Sequence, residues 1–188
     1  MELLNLVETL GTFFSIVLCA SPTPTYIAAW KTKDLRSISY PFLLATFLWS
    51  LIYGFYFLRA DNISVANMNL SCAAICGVMM VAYHIINGDI LSFVPKMTAG
   101  VVLSYALGMS ILPIGLVASI ANILHYGMII ATFPKLVPAL KMKDPAYINL
   151  PIIWAGSVSG SLWMTYGLLT YDVFVFAPNF CSLTLGLI

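Results

Sequence analysis

Residues Pro24–Pro41 read PTYIAAWKTKDLRSISYP, and residues 134–151 read PKLVPALKMKDPAYINLP. Laid over one another at an offset of 110, the two stretches agree at seven of 18 positions: Pro24/Pro134, Ala29/Ala139, Lys31/Lys141, Lys33/Lys143, Asp34/Asp144, Ile38/Ile148 and Pro41/Pro151. Chance would give roughly one or two at ordinary residue frequencies. The same offset carries Asn69 onto Asn179. We read an internal duplication of a membrane unit. Each copy holds a proline-bent helix, a short basic loop and a second proline-bearing helix.

The composition names the solvent. Of 188 residues, 61% are hydrophobic and 8% charged, and the mean hydropathy is +0.98. A soluble domain carries about 25% charged residues. This chain cannot cover a surface with polar groups, so lipid must surround most of it. A net charge of +1 offers no basic face to nucleic acid. Glu2 and Glu8 flank the first apolar run with no positive n-region, so that run reads as a first span rather than a cleaved signal. Cys19, Cys72, Cys76 and Cys181 all fall inside apolar runs without CxxC or Cys/His spacing. They read as small apolar filler, and no metal is expected. No HExxH or GxSxG occurs, and no acid/base pair stands out. The chain is read as no enzyme and as needing no cofactor.

A membrane helix needs about 20 apolar residues. Seven such stretches can be placed, roughly 5–30, 39–59, 63–87, 91–110, 113–139, 148–169 and 173–188. The last is short and stops without a polar tail, as a truncated chain would. The expected fold is all-α and polytopic: seven transmembrane helices as two parallel three-helix bundles joined by a linker helix. The divisions are 1–88, 89–112 and 113–188. With three spans per copy, direct joining would invert the second copy, and one extra span restores its orientation. With the N-terminus outside, Lys31, Lys33, Arg36, Lys96, Lys135, Lys141 and Lys143 lie at cytosolic ends and Arg59 alone outside. The C-terminus is then cytosolic.

Proline in a membrane helix removes a backbone bond and bends the helix. Pro22, Pro24, Pro41, Pro134 and Pro151 sit toward the cytosolic halves of their spans, with Pro138 near the end of the fifth. Ordinary kinks are the plain reading. Recurrence in both copies favours a ring of hinges at an inner gate. Asn69 and Asn179 are either helix–helix glue or a pair of amides facing across a central cavity. Two donors and an acceptor on each suit a polyhydroxyl solute. Trp163 is a packing tryptophan or an apolar platform for a sugar ring. Ser50 is a small packing residue or the space opposite that platform. The pairs Tyr53-Gly54 and Tyr166-Gly167, followed by Asp61 and Asp172, are interface anchors or an outer gate. No acidic residue lies deep in a span, and His84 and His125 are the only relay candidates. Facilitated diffusion is therefore favoured over coupled transport.

These residues resemble the SWEET sugar transporters, also called the MtN3/saliva family. The likeness spans nearly the whole chain. It rests on Ser21-Pro22-Thr23-Pro24-Thr25-Tyr26 with Lys31-Thr32-Lys33, and on Leu48-Trp49-Ser50-Leu51-Ile52-Tyr53-Gly54. It rests further on Trp163-Met164-Thr165-Tyr166-Gly167-Leu168-Leu169 and on Asp172-Val173-Phe174-Val175-Phe176-Ala177-Pro178-Asn179. The resemblance implies two triple-helix bundles, an inversion linker helix and alternating access without an ion gradient. It implies substrate contacts at Asn69, Asn179, Ser50 and Trp163. It implies an outer gate at Tyr53, Gly54, Tyr166, Gly167, Asp172 and Pro178. The family's proline tetrad falls on Pro22, Ser39, Thr132 and Asn149 in a gap-free alignment, with prolines two residues later at 24, 41, 134 and 151. Either the tetrad has moved half a turn or a small shift hides it; the equal spacing of the prolines in both copies favours them. Other departures are Leu70 where the family has Gly, Cys76 where a Glu is frequent, and three extra residues before the second Tyr-Gly. This resembles a divergent member.

The leading expectation is a bidirectional facilitative sugar uniporter, with a monosaccharide favoured because Ser50 stands opposite a large Trp163. Its partners would be a small sugar and the bilayer, in the plasma membrane or a vacuolar or other endomembrane. The resemblance also implies homo-oligomers. The alternatives are a PQ-loop carrier of another small metabolite or amino acid, proton-coupled through His84 or His125, and a seven-helix cargo receptor. Such a receptor needs charged residues along its cavity, and none is evident.

Overall fold

The computed structural model describes residues 2–35, 38–130 and 150–186, with backbone alone at 150–152, 185 and 186. These residues form eight helices: α1 (Glu2–Ala20), α2 (Thr23–Thr32), α3 (Tyr40–Arg59), α4 (Ile63–Asn87), α5 (Ile90–Gly108), α6 (Ile114–Ile130), α7 (Leu150–Thr170) and α8 (Val173–Gly186). Each of the seven apolar stretches holds one of them, α1 and α2 sharing the first. Glu2–Thr32, α3, α4 and α5 are long and apolar enough to cross a bilayer; Ile114–Ile130 and Val173–Thr184 are shorter apolar helices. At 1.5 Å per residue, the 20 residues of α3 match a hydrocarbon core about 30 Å thick.

The prolines divide by position. Pro22 is the N-cap of α2, and Pro24 lies in its first turn, so together they break the first span into two helices. Pro41 lies in the first turn of α3. There its missing N–H has no intrahelical acceptor to lose, so Pro41 starts the second span instead of bending it. This departs from the bend expected within that span. Pro95 and Pro178 lie inside α5 and α8. Pro134 and Pro138 fall outside the described residues, and Pro151 lies in α7 with its side chain outside them.

The duplication is visible in the backbone. Asp61 and Tyr171, 110 apart, both adopt left-handed φ, at 56° and 55°. The next residues, Asn62 and Asp172, cap the following helices: Asn62 Oδ1 accepts from Val65 N at 3.1 Å, and Asp172 Oδ1 accepts from Val175 N at 3.3 Å and Phe174 N at 2.9 Å. One helix-to-helix turn has been built twice.

Packing makes a ring. α1 packs on α4, α4 on α3, α3 on α6, α6 on α8, α8 on α7, and α7 back on α1. The linker α5 lies outside the ring against α3 and α4. Under the duplication, α1, α3 and α4 correspond to α6, α7 and α8. The α1–α7 seam is thus the counterpart of the α3–α6 seam. The copies are parallel and meet at two equivalent seams around one axis.

Two apolar clusters hold the ring. One joins both copies at the end carrying the N-terminus, through the mates Val7/Val117, Val65/Val175 and Tyr53/Tyr166, with Phe57, Met68 and Trp163. The other lies within the first copy and reaches the linker, through Tyr26, Phe47, Met80 and Phe93. A cavity of about 380 Å³ lies between α3, α4 and α5, lined by Phe47, Gly77 and Met97, and one of about 280 Å³ between α4 and α5, lined by Val81, Phe93 and Met97.

Candidate functional site

Asn69 and Asn179 occupy matching places. Asn69, buried in α4, donates Nδ2 to Val65 O at 2.9 Å; Asn179, half-buried in α8, donates Nδ2 to Val175 O at 2.7 Å. Each thus holds its amide on the carbonyl four residues back. Such a bond uses one of the amide's two donors and leaves the second donor and the oxygen for another group.

Ser50 has no exposed surface, and its hydroxyl has no hydrogen-bond partner among the described residues. A helical serine ordinarily satisfies itself on the preceding turn. Thr46 does so, giving its hydroxyl to Phe42 O at 2.7 Å, and Ser50 does not. Beside it, the Trp49 indole N–H is buried without a partner. The Trp49 ring meets His125 of α6 edge-on, with centroids 4.6 Å apart. His125 Nε2 shares a 2.9 Å bond with Ser182 Oγ of α8, while its Nδ1 is buried and unpartnered. Three buried polar atoms on α3 and α6 thus lack partners among the described residues: Trp49 Nε1, Ser50 Oγ and His125 Nδ1. Left dry, each would cost about 1–3 kcal/mol. A polar solute or water would satisfy them.

The opposite seam is closed. Trp163 Nε1 of α7 donates to Ser15 Oγ of α1 at 2.8 Å, and Ser15 Oγ lies 2.9 Å from Ser159 Oγ. The indole lies so close over Gly11 that a Cβ there would sit 3.1 Å from it. Trp163 is thus fixed against α1 and buried. Ser50 and Trp163 are mates at an offset of 113, as are Tyr53/Tyr166 and Gly54/Gly167. The two seams differ: the Trp49 indole N–H at α3–α6 lacks a partner among the described residues, whereas the indole at α1–α7, Trp163, gives its N–H to Ser15.

At the end carrying the N-terminus, both tyrosines cross between copies. The Tyr53 hydroxyl lies 2.7 Å from Asn122 Oδ1 and 3.0 Å from Phe174 O, its one proton shared between the two acceptors. Asn122 Nδ2 donates to the same Phe174 O at 3.0 Å. Asn62 Nδ2 of the first copy donates to the Tyr166 hydroxyl of the second at 3.0 Å. Pro178 is buried within α8, and the two glycines sit at close crossings, Gly54 against Leu70 and Gly167 against the backbone at Phe176.

His84 stands apart from both seams. Its Nδ1 lies 2.6 Å from Asp89 Oδ1, its ring stacks on Phe93 at 4.0 Å, and Tyr40 meets it edge-on at 5.1 Å. It joins the ends of α3, α4 and α5. The hydrogen bond from His84 pulls the Asp89 carboxyl below its ordinary value. A depressed carboxylate pKa stabilises the fold above the unfolded value, near 3.9, and the benefit is lost as pH falls through the folded value. The melting temperature of Asp89→Asn should therefore lie below wild type at pH 7, with the gap closing below about pH 4. A gap that stays constant across that range would refute the pairing.

The sequence reading reached Asn69, Asn179, Ser50 and Trp163, and considered His125 only as a proton relay. It passed over Trp49, Ser15, Asn62 and Asn122 as site residues. The offset of 110 could have pointed to two of them, since it carries Ser15 onto His125 and Asn62 onto Asp172.

Residues 5–89 and 113–188 match the MtN3/saliva family model, described as "Sugar efflux transporter for intercellular exchange". The chain belongs to the SWEET family. Among relatives of this SWEET chain is the bidirectional sugar transporter SWEET1a of Sorghum bicolor, 29% identical over 194 residues, covering 95% of this chain and 71% of the relative. SWEET7b of Oryza sativa subsp. indica is 26% identical, covering 93% and 71%. SWEET7 of Arabidopsis thaliana is 23% identical, covering 97% and 76%. Both are likewise named bidirectional sugar transporters. The solved structure of a eukaryotic SWEET transporter superposes with a TM-score of 0.82 at 18% identity, covering 99% of this chain and 93% of that one. The fold of this SWEET is thereby shared, and its membrane character and transporter class follow from the family.

Proposed function

We propose that this SWEET chain is a bidirectional facilitative uniporter of a monosaccharide-sized sugar. One observation carries the reading: Trp49 Nε1, Ser50 Oγ and His125 Nδ1 are buried without partners among the described residues, in a chain whose matched amides on α4 and α8 each spend one donor on their own helix. Sugar hydroxyls would bond Ser50 and the free groups of Asn69 and Asn179, and Trp163 would pack on the ring face. The gate residues Tyr53, Gly54, Tyr166, Gly167, Asp172 and Pro178 would close the outer side. Pro22 and Pro24, with Pro134 and Pro151 in the second copy, would let the inner side open, and Pro41 would fix the start of its helix. Residues 1–88 and 113–188 would move as units about the linker 89–112, with the N-terminus outside and the C-terminus in the cytosol.

Purified chain in liposomes tests this. Uptake of labelled glucose should saturate and should not change when a pH gradient is collapsed. Uptake that vanishes with the gradient would contradict uniport. It would favour a proton-coupled carrier, with His125 the first group to examine because its Nδ1 is buried and unpaired.

A further inference from the structure

The two tyrosines of the outer gate stand at equivalent positions, yet they are held by residues that are not equivalent. The mate of Asn122 at an offset of 110 is Thr12, whose hydroxyl is buried and finds no partner. Threonine ends at Oγ1, which here does not engage Tyr166, so that tyrosine has no acceptor on α1. The mate of Asn62 is Asp172. An ionised carboxylate has no N–H to give, and its Oδ1 is already occupied with capping α8. Tyr53 therefore cannot be held as Tyr166 is, nor Tyr166 as Tyr53 is.

The environments differ too. Both tyrosines are buried, but the amide that Tyr53 meets is itself buried and pre-oriented by its own bond to Phe174 O. Losing that hydroxyl strands Asn122 Oδ1 away from water. Asn62 is half-buried, so water can replace Tyr166 as acceptor for its amide. Breaking a bond whose partner stays buried costs more than breaking one whose partner can be hydrated.

We propose that Asn122 is the positioning residue of a strong outer latch on Tyr53 at the α3–α6 seam, that Asn62 holds a weak latch on Tyr166 at the α4–α7 side, and that the outer gate opens from the Asn62 side. Asn122 acts through Tyr53. It gives the two copies unequal holds on the closed state although their folds are equivalent. The proposal deepens the uniporter reading and rests on it for the meaning of opening.

The test measures opening without any sugar. Val117→Cys puts a reporter thiol at a fully buried position in the cluster containing both tyrosines. Reconstituted protein is treated from outside with a membrane-impermeant maleimide, and mass spectrometry reads modification at position 117. Adding Tyr53→Phe should raise the labelling rate roughly tenfold, and Tyr166→Phe about twofold, the two ends of the range for one hydrogen bond. Asn122→Leu should also raise the rate, by no more than Tyr53→Phe, because Tyr53 keeps Phe174 O as an acceptor. If Asn122→Leu does not fold, the two tyrosine variants still decide the order. Cys76, buried in the other cluster, is the control and should label no faster in any variant. Equal rates for the two tyrosine variants, a larger effect of Tyr166→Phe, or parallel acceleration at Cys76 would overturn the latch. Labelling that follows the expected order in a protein that carries no sugar would sink the uniporter reading and leave the latch standing.

Discussion

Asn69→Ala and Asn179→Ala should each abolish saturable glucose uptake without unfolding the protein. Each amide spends one donor on its own helix, at Val65 O or Val175 O, and under the proposed function its remaining groups would meet the sugar. Alanine keeps the helix, since it is its best former, and removes only the local bond and those remaining groups. What is lost is the ability to replace water around sugar hydroxyls as they are desolvated. A bound hydroxyl left without a partner costs about 1–3 kcal/mol, and each amide addresses more than one. Two such losses, about 2–6 kcal/mol, weaken affinity roughly thirtyfold or more, which reads as little or no uptake at low millimolar sugar. Melting temperatures should stay within a few degrees of wild type. Uptake retained at near-normal rates in either variant, with both folded, would remove the amides from the site.

Gly167→Ala should impair folding strongly. A Cβ there would lie 2.6 Å from Phe176 N, 2.9 Å from its Cα and 3.0 Å from Asp172 O. All three are backbone atoms, so nothing can rotate aside. The α7–α8 crossing would have to spread, and the turn at Tyr171–Asp172, with its left-handed residue and its cap, would move with it. Overpacking of this kind costs about 1–3 kcal/mol, or more where backbone must shift. The mate Gly54 makes the comparison. A Cβ there meets Leu70 Cδ2 at 2.6 Å and Cγ at 2.8 Å, and that side chain can change rotamer. Detergent-solubilised Gly167→Ala should lose most of its monodisperse yield, and Gly54→Ala should keep most of its own. Equal losses would contradict the unequal crossings.

Much of the fold was written in local pattern. Apolar runs of about 20 residues locate spans without knowledge of their partners. The offset of 110 paired Asn69 with Asn179, and each amide bonds the carbonyl four residues back on its own helix. Proline was harder to read. The chemistry of Pro41 is the same at a helix start and in its middle, and only the position of Tyr40 as the first helical residue separates the two. The site was legible where both halves of a contact repeat and obscure where they do not. Tyr53 meets Asn122, 69 residues away, and Asn62 meets Tyr166, 104 away. No local periodicity links such pairs, and the duplication breaks at these positions. Trp49 stayed hidden beside Ser50 because a tryptophan in an apolar run reads as packing, until its N–H is found buried and unpaired.

If the two parallel copies alternate around one polar site sized for a sugar, the chain should show trans-acceleration. Liposomes holding the purified chain are preloaded with unlabelled glucose or left empty, with no ion gradient, and initial entry of labelled glucose is compared. Labelled entry should be faster into preloaded vesicles, and absent with Asn69→Ala. Entry that rises linearly with concentration and ignores preloading would contradict alternation, because a site exposed alternately to the two sides must saturate and exchange.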